Sequence, residues 1–337
     1  MRATRHIRSA VSSAAVILAA LAGLAANARG ERFLEDCRAL TASPHRLTGT
    51  DAGRTAGDYI RRRLNEEGVD RVLVQPFPVP QCRVETCSLT MEGSGGSVPL
   101  VPLRANGIIP PVTPAEGVTG PIVHAGDGSD AAVAGKDLRD AVVVMDYDCG
   151  EAWLHAFRDG AAAIVFVRTR PVRASQRLHV VANANLPRFF YDGPATDLPE
   201  GKRATVHSRI VWESRVGRNI AGWVRGAEPE FGQEAEEVLV LAAPYDSFGE
   251  VPRRSPGARG AANCAALLRL AGALSTQRPR RHVLLLFLDG QARCHAGARA
   301  FFRALEPMDG DAGPRTRQEW YRSEVDFLEE MERLLSL

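Results

Sequence analysis

Two uninterrupted apolar runs, residues 238–243 and 282–288, do most to limit what this chain can fold into. Apolar runs without alternation are expected of strands buried on both faces. Each is followed by a segment with apolar residues at helical spacing, residues 260–274 and 297–305. Strand, helix, strand, helix is the order of a doubly wound α/β sheet. Upstream, residues 31–40 and 55–67 read as helices. In the second, Ala56, Tyr59, Ile60 and Leu64 share one face, and Gly68 follows as a stop. Residues 72–79 read as a strand, and residues 45–50 between the helices as a polar turn.

The texture changes between residues 100 and 216. Short apolar runs at 120–123, 141–145 and 163–167 are separated by Gly, Pro and Asp. That spacing predicts a compact β-rich module with one or two helices, one of them at 153–159 ended by Gly160. A final helix near 318–335 carries Tyr321, Val325, Leu328, Met331 and Leu335 as a stripe. The stripe reads as a packing face, with a dimer seam as the alternative.

At the N-terminus, Arg2, Arg5 and Arg8 precede an apolar stretch at 11–24, and Ala26-Asn27-Ala28 offers a small-x-small cleavage site. This is the layout of a secretory signal peptide, too short for a comfortable membrane span. The expected location is therefore periplasmic or extracellular, with an uncleaved N-terminal anchor as the alternative. Net charge is +2, which gives no nucleic-acid footprint. Export permits disulfides among Cys37, Cys82, Cys87, Cys149, Cys264 and Cys294. Cys82 and Cys87 are close enough in sequence to staple a hairpin. With no C-x-x-C pattern, a cysteine zinc site is not expected.

Several segments, in order, resemble the M28 zinc aminopeptidase family. They are His45-Arg46-Leu47-Thr48-Gly49-Thr50; Arg218-Asn219-Ile220-Ala221-Gly222; Leu241-Ala242-Ala243-Pro244-Tyr245-Asp246-Ser247; Ser255-Pro256-Gly257-Ala258; and Phe287-Leu288-Asp289-Gly290-Gln291. The 100–216 module is similar to a protease-associated (PA) domain, most clearly at residues 138–144, Cys149 and residues 157–166. The resemblance implies a doubly wound, mostly parallel sheet of the M28 type, shortened at its C-terminal end, with a PA-like insert. The expected division is a signal peptide at 1–28, core at 29–99, insert at 100–216, core at 217–310 and a C-terminal helix at 311–337.

The family's chemistry uses two zinc ions held by His, Asp and Glu, with a further Glu as general base. Residue by residue, the resemblance puts Pro244 at the first ligand position and Gly260, or Arg259 one residue earlier, at the bridging carboxylate. Gln291 falls at the general base and Ala292 at the ligand after it, while Asp246 matches a residue that supports the metal site. Pro, Gly and Ala side chains carry no donor atom, and glutamine cannot accept a proton at neutral pH. The two remaining ligands, an Asp and a His, would follow Phe302, where Asp309 and Asp311 occur and no histidine follows His295.

The leading expectation is thus an exported, non-catalytic relative that binds a peptide or protein, with no cofactor, no nucleic acid and no stable membrane span after processing. The alternatives are a zinc aminopeptidase with a rearranged or split site. Cys264, Cys294 and His295 with Asp246 form one candidate replacement metal set, and a Cys264–Cys294 disulfide is another reading of that pair. The remaining histidines, at 124, 155, 179, 207 and 282, are expected in surface or satisfied core roles. Gly126-Asp127-Gly128-Ser129 lacks the Gly-Lys-Ser/Thr of a phosphate loop and reads as a plain turn.

Overall fold

A computed structural model describes residues 30–103, 111–168, 186–227, 238–247, 249, 251 and 254–305. The signal-peptide segment, His179, Asp309, Asp311 and the 318–335 stripe lie outside the described residues. In chain order the elements are α1 (residues 30–40), α2 (Asp51–Glu66), β1 (Arg71–Met91), β2 (Ser97–Pro99), β3 (Val101–Pro102), β4 (Val118–Gly126) and α3 (Asp130–Val133). There follow β5 (Val142–Asp146), α4 (Trp153–Arg158), β6 (Ala163–Val167), β7 (Arg188–Tyr191), β8 (Arg203–Val224), β9 (Val238–Pro244), α5 (Ala258–Thr276), β10 (His282–Leu288) and α6 (Ala296–Leu305).

The expected strand–helix–strand–helix unit is present. β9 and β10 pair in parallel, from Val238 beside His282 to Pro244 beside Leu288, with α5 as their connection. β10 then pairs antiparallel with β8. Alternate residues of β10 feed two layers. Val283, Leu285 and Phe287 pack with Ile60 and Leu64 of α2 and Ala261, Cys264 and Leu268 of α5. Leu284 and Leu286 pack with Trp223 of β8 and Phe301 and Ala304 of α6. Burial on both faces accounts for the lack of alternation in β10, each such side chain contributing roughly 1.5–3 kcal/mol. The same reading of β9 is corrected. Among the described residues β9 pairs only with β10, and Leu239 and Val240 are 52% and 44% exposed. β9 is an open edge.

Helix α2 starts where Thr50 Oγ1 accepts from Gly53 N, with Asp51 in the first turn, and buries Ala56, Ile60 and Leu64. The cap and the acid both suit the positive end of a helix. After α2 the chain enters β1, which runs twenty-one residues (21) antiparallel to β8, from Arg71 beside Trp223 to Met91 beside Ala204. The strand extends well past the predicted end at Val79, with a register shift between Val84 and Thr86.

The far ends of β1 and β8 belong to a second core. There β4, β5, β6 and β7 pair in parallel, a more α/β arrangement than the expected β-rich module. One face packs Leu89 of β1 and Val206 of β8 against Ile122, Val142 and Val165. The other packs Trp153 and Ala156 of α4 against Val143, Met145 and Phe166, and Val251, from beyond β9, is buried in the same cluster. The whole is a mixed α/β fold. Gly126 to Ser129 turn into α3, Asp127 Oδ1 accepting from Ser129 N, so this is a strand-to-helix turn.

The Cys82–Cys87 staple is also corrected. Both cysteines lie on the single strand β1, and at about 3.3 Å per residue they are too far apart to bridge. None of the six cysteines is in a disulfide, and Cys264 is buried while Cys294 is exposed, which leaves that pair unbridged as well. Among the described residues no helix is long and apolar enough to cross a membrane.

Candidate functional site

The C-terminal ends of β9 and β10 open beside the N-terminus of α5, the position where open α/β sheets place ligands. Four of the residues singled out from sequence meet there. A side chain at Gly260 would start 3.5 Å from the Pro244 carbonyl oxygen and 3.8 Å from that of Asp246. Asp246 Oδ2 accepts from Ala292 N at 3.1 Å. Asp246 is 7% exposed, and its Oδ1 has no hydrogen-bond partner. Burial pushes its carboxyl above the ordinary range, while the N–H groups of Ala292 and Gln291 and the charge of Arg46 act against that shift. Asp246 thus caps the turn that follows β10. Gln291 is exposed on that turn, and Arg259 is exposed on the first turn of α5.

That turn is conformationally demanding. Gly290 has φ 72, and Cys294 and His295 have φ 54 and 56, the left-handed region that costs non-glycine residues. The candidate replacement metal set does not assemble. Cys264 is buried and donates from Sγ to the Pro244 oxygen, whereas Cys294 and His295 are exposed on the turn. Among the described residues no three His, Cys, Asp or Glu side chains are grouped to hold a metal. Beside Asp246, the side chains of Pro244, Gly260 and Ala292 offer a zinc ion no nitrogen, oxygen or sulfur, while the nearby Asp289 carboxyl and Cys264 thiol are engaged with backbone groups. This donor set does not fit a four-ligand zinc site.

Three residues that the sequence reading passed over complete the site. Asp289 is 3% exposed. It accepts from Arg218 N and Tyr245 Oη through Oδ2, and from Gly290 N through Oδ1. Burial, with the negative charge of Asp246 added, pushes its carboxyl up to about 6. Tyr245 is buried, its phenol raised well above the ordinary value by burial and then by Asp289, and it donates to the Arg218 oxygen at 2.8 Å. Arg46, from the predicted polar turn, is 1% exposed. Burial pulls its guanidinium below the ordinary value, and the nearby Cys264 and Asp246 charges oppose this. No local signal marks Arg46 as buried, because its surroundings come from segments some 200 residues away.

Three of the other histidines, His124, His155 and His282, have structural partners. His124 Nε2 lies 2.6 Å from the Leu198 oxygen and His155 Nδ1 2.9 Å from the Gly128 oxygen. His282 is buried, accepts from Gly226 N and stacks on Trp223.

Residues 219–313 match Peptidase family M28. The fold is similar to that of BSAP, a zinc aminopeptidase from Bacillus subtilis, at 18% identity and a TM-score of 0.56, over 78% of this chain and 61% of that one. It is also similar to a Peptidase M28 precursor from Shewanella amazonensis SB2B, at 18% identity and a TM-score of 0.50, over 82% and 70% of the two chains. The chain spans 61% of the length of the first and 66% of an aminopeptidase from Aneurinibacillus sp. strain AM-1. No curated protein matches the sequence.

Proposed function

We propose that this chain is an exported, non-catalytic relative of the M28 peptidases that binds a peptide or protein at the cleft formed by the ends of β9 and β10. One observation carries the reading. Pro244, Gly260 and Ala292, which the resemblance aligns with zinc-ligand positions, converge on Asp246, and none has a donor atom. Loss of a single ligand is compatible with a changed metal. Loss at each converging position, with Gln291 in place of a proton acceptor, removes the groups that the resemblance would use to polarise a carbonyl and activate a water. The M28 match over residues 219–313 and the aminopeptidase-like fold support the ancestry. The resemblance of residues 138–166 to a PA domain and the position of the site at the C-terminal ends of β9 and β10 support a peptide or protein as the ligand class, and the Arg-flanked apolar N-terminus supports export.

The test is to purify the chain, measure bound zinc by elemental analysis and assay release of amino acids from aminoacyl-p-nitroanilides. No stoichiometric zinc and no turnover above the buffer rate is the expected result. Stoichiometric zinc with EDTA-sensitive turnover would overturn the proposal in favour of a zinc aminopeptidase with a rearranged site.

A further inference from the structure

We propose that Arg46 is the positioning residue of the cleft, whose guanidinium gathers the three chain segments around Asp246 and holds them in shape without a metal ion. The proposal rests on the reading that no dication organises this site.

The contacts are specific. Arg46 Nε donates to the Tyr245 oxygen at 2.7 Å, at the exit of β9. Nη1 donates to the Leu40 oxygen at 2.6 Å, at the C-terminal end of α1, and to the Pro256 oxygen. Nη2 donates to the Gly257 oxygen at 3.0 Å, at the N-cap of α5. Four carbonyls from three segments are thus collected by one planar group. The Leu40 carbonyl is among those a helix end leaves without an internal partner, and it carries the negative end of the helix dipole. The Arg46 backbone adds a two-way pairing with Ser247, donating from N to Ser247 Oγ at 2.6 Å and accepting from Ser247 N at 3.1 Å. Ser247 Oγ in turn donates to the Ser255 oxygen, and Ser255 N donates to the Pro44 oxygen.

The surrounding residues are shaped to this group. Gly257 has φ +65, and a Cβ there would lie 3.1 Å from Arg46 Nη2 and 2.5 Å from Ser247 Cβ. A Cβ at Gly260 would lie 3.5 Å from Nη2, so the guanidinium sits directly beside one of the positions that lacks a donor. Lysine cannot replace it. Its ammonium is a point charge without the fixed fork, whereas the guanidinium presents five N–H groups in one plane.

Backbone hydrogen exchange of the full chain, read by mass spectrometry, tests this in two variants. Arg46→Met keeps the length and removes the donors, and Arg46→Lys keeps the charge. Exchange at Ser247, Ser255 and Ala292 should speed by about tenfold or more in Arg46→Met, and by less in Arg46→Lys, since each lost donor strands a buried carbonyl. Amides of β5 and β6 should be unchanged, and 5 mM EDTA should alter none of these rates in the parent chain. Unchanged exchange at the cleft in Arg46→Met would overturn the proposal. So would collapse of both variants together with loss of protection in β5 and β6, because that would make Arg46 a global rather than a local support. EDTA-sensitive protection at the cleft would also overturn it. Failure of the non-catalytic reading is scored separately, by bound zinc and turnover in the parent chain.

Discussion

Replacing Asp289 by Asn should change the stability of this protein by an amount that depends strongly on pH. In the folded chain the Asp289 carboxyl titrates at about 6 rather than at its ordinary 3.8, first because it is buried and second because Asp246 is close. The shift of about two units corresponds to about 3 kcal/mol. The sign follows from proton counts. Below pH 3.8 the carboxyl is protonated in both states and costs nothing. Between 3.8 and 6 the folded state keeps a proton that the unfolded state has released, so stability falls as pH rises through this window. Above 6 both states are ionised and the full cost of about 3 kcal/mol is present. Asparagine does not titrate, but it has one acceptor oxygen where the carboxylate uses two, toward Arg218 N and Gly290 N. The lost backbone bond costs about 1–3 kcal/mol at every pH. Asp289→Asn should therefore be less stable than the parent by about 1–3 kcal/mol at pH 3.5, and level or up to about 2 kcal/mol more stable at pH 7.5. Urea denaturation of both proteins across this range measures the difference; groups remote from Asp289 cancel between them, and Asp246, which is coupled to it, adds to the change in the same pH window. A difference that is the same at pH 3.5 and pH 7.5 would refute the assignment of a raised carboxyl to Asp289.

Three further outcomes are expected. Arg63 is nearly buried and donates to Asp36, Glu66 and Glu67, so Arg63→Met should cost about 3–5 kcal/mol in urea by leaving Asp36 buried beside Tyr59 alone, and adding Asp36→Leu should restore most of it. Gly120→Ala would put a Cβ 2.0 Å from the Asp140 carbonyl oxygen, a backbone atom that cannot step aside, and should lower stability by about 3 kcal/mol or more in a thermal melt. Combining Pro244→His, Gly260→Asp, Gln291→Glu and Ala292→Glu should not confer peptide hydrolysis with added zinc, because the two further ligands the resemblance implies have no counterpart in the described chain; turnover by this variant would show that account to be wrong.

What could be read from the sequence was whatever depends on neighbours in the chain. β10, α2, α5 and α6 follow from continuous or helically spaced apolar residues, and the observed bounds lie close to the expected ones. β1 was not legible beyond Val79. Pro80 argues against continuing the strand, yet with Pro76 and Pro78, which lie inside the predicted stretch, it keeps a spacing of two that puts all three missing N–H groups on one side. The donors on the other side still reach β8. At the site, Pro244, Asp246, Gly260 and Ala292 were found because a motif order marked them. Arg46 and Tyr245 stand in the same motifs, but the sequence assigns them no role, since a guanidinium bonded to carbonyls reads no residue type at all. Its partners at Leu40, Tyr245 and Pro256 could be any residue, so only the folded backbone reveals them.

Val251 ties the two halves of the molecule in an unequal way. It is buried in the second core among Tyr147, Phe166 and Phe190, and its carbonyl accepts from Ser255 Oγ. Ser255 sits at the edge of the cleft. The second core has its own apolar layers, whereas the segment carrying Ser255 is held by Val251 on that side and by Ser247, Pro44 and Arg46 on the other. Melting of the second core would therefore remove one of the supports of the site, while loosening of the site need not melt the second core.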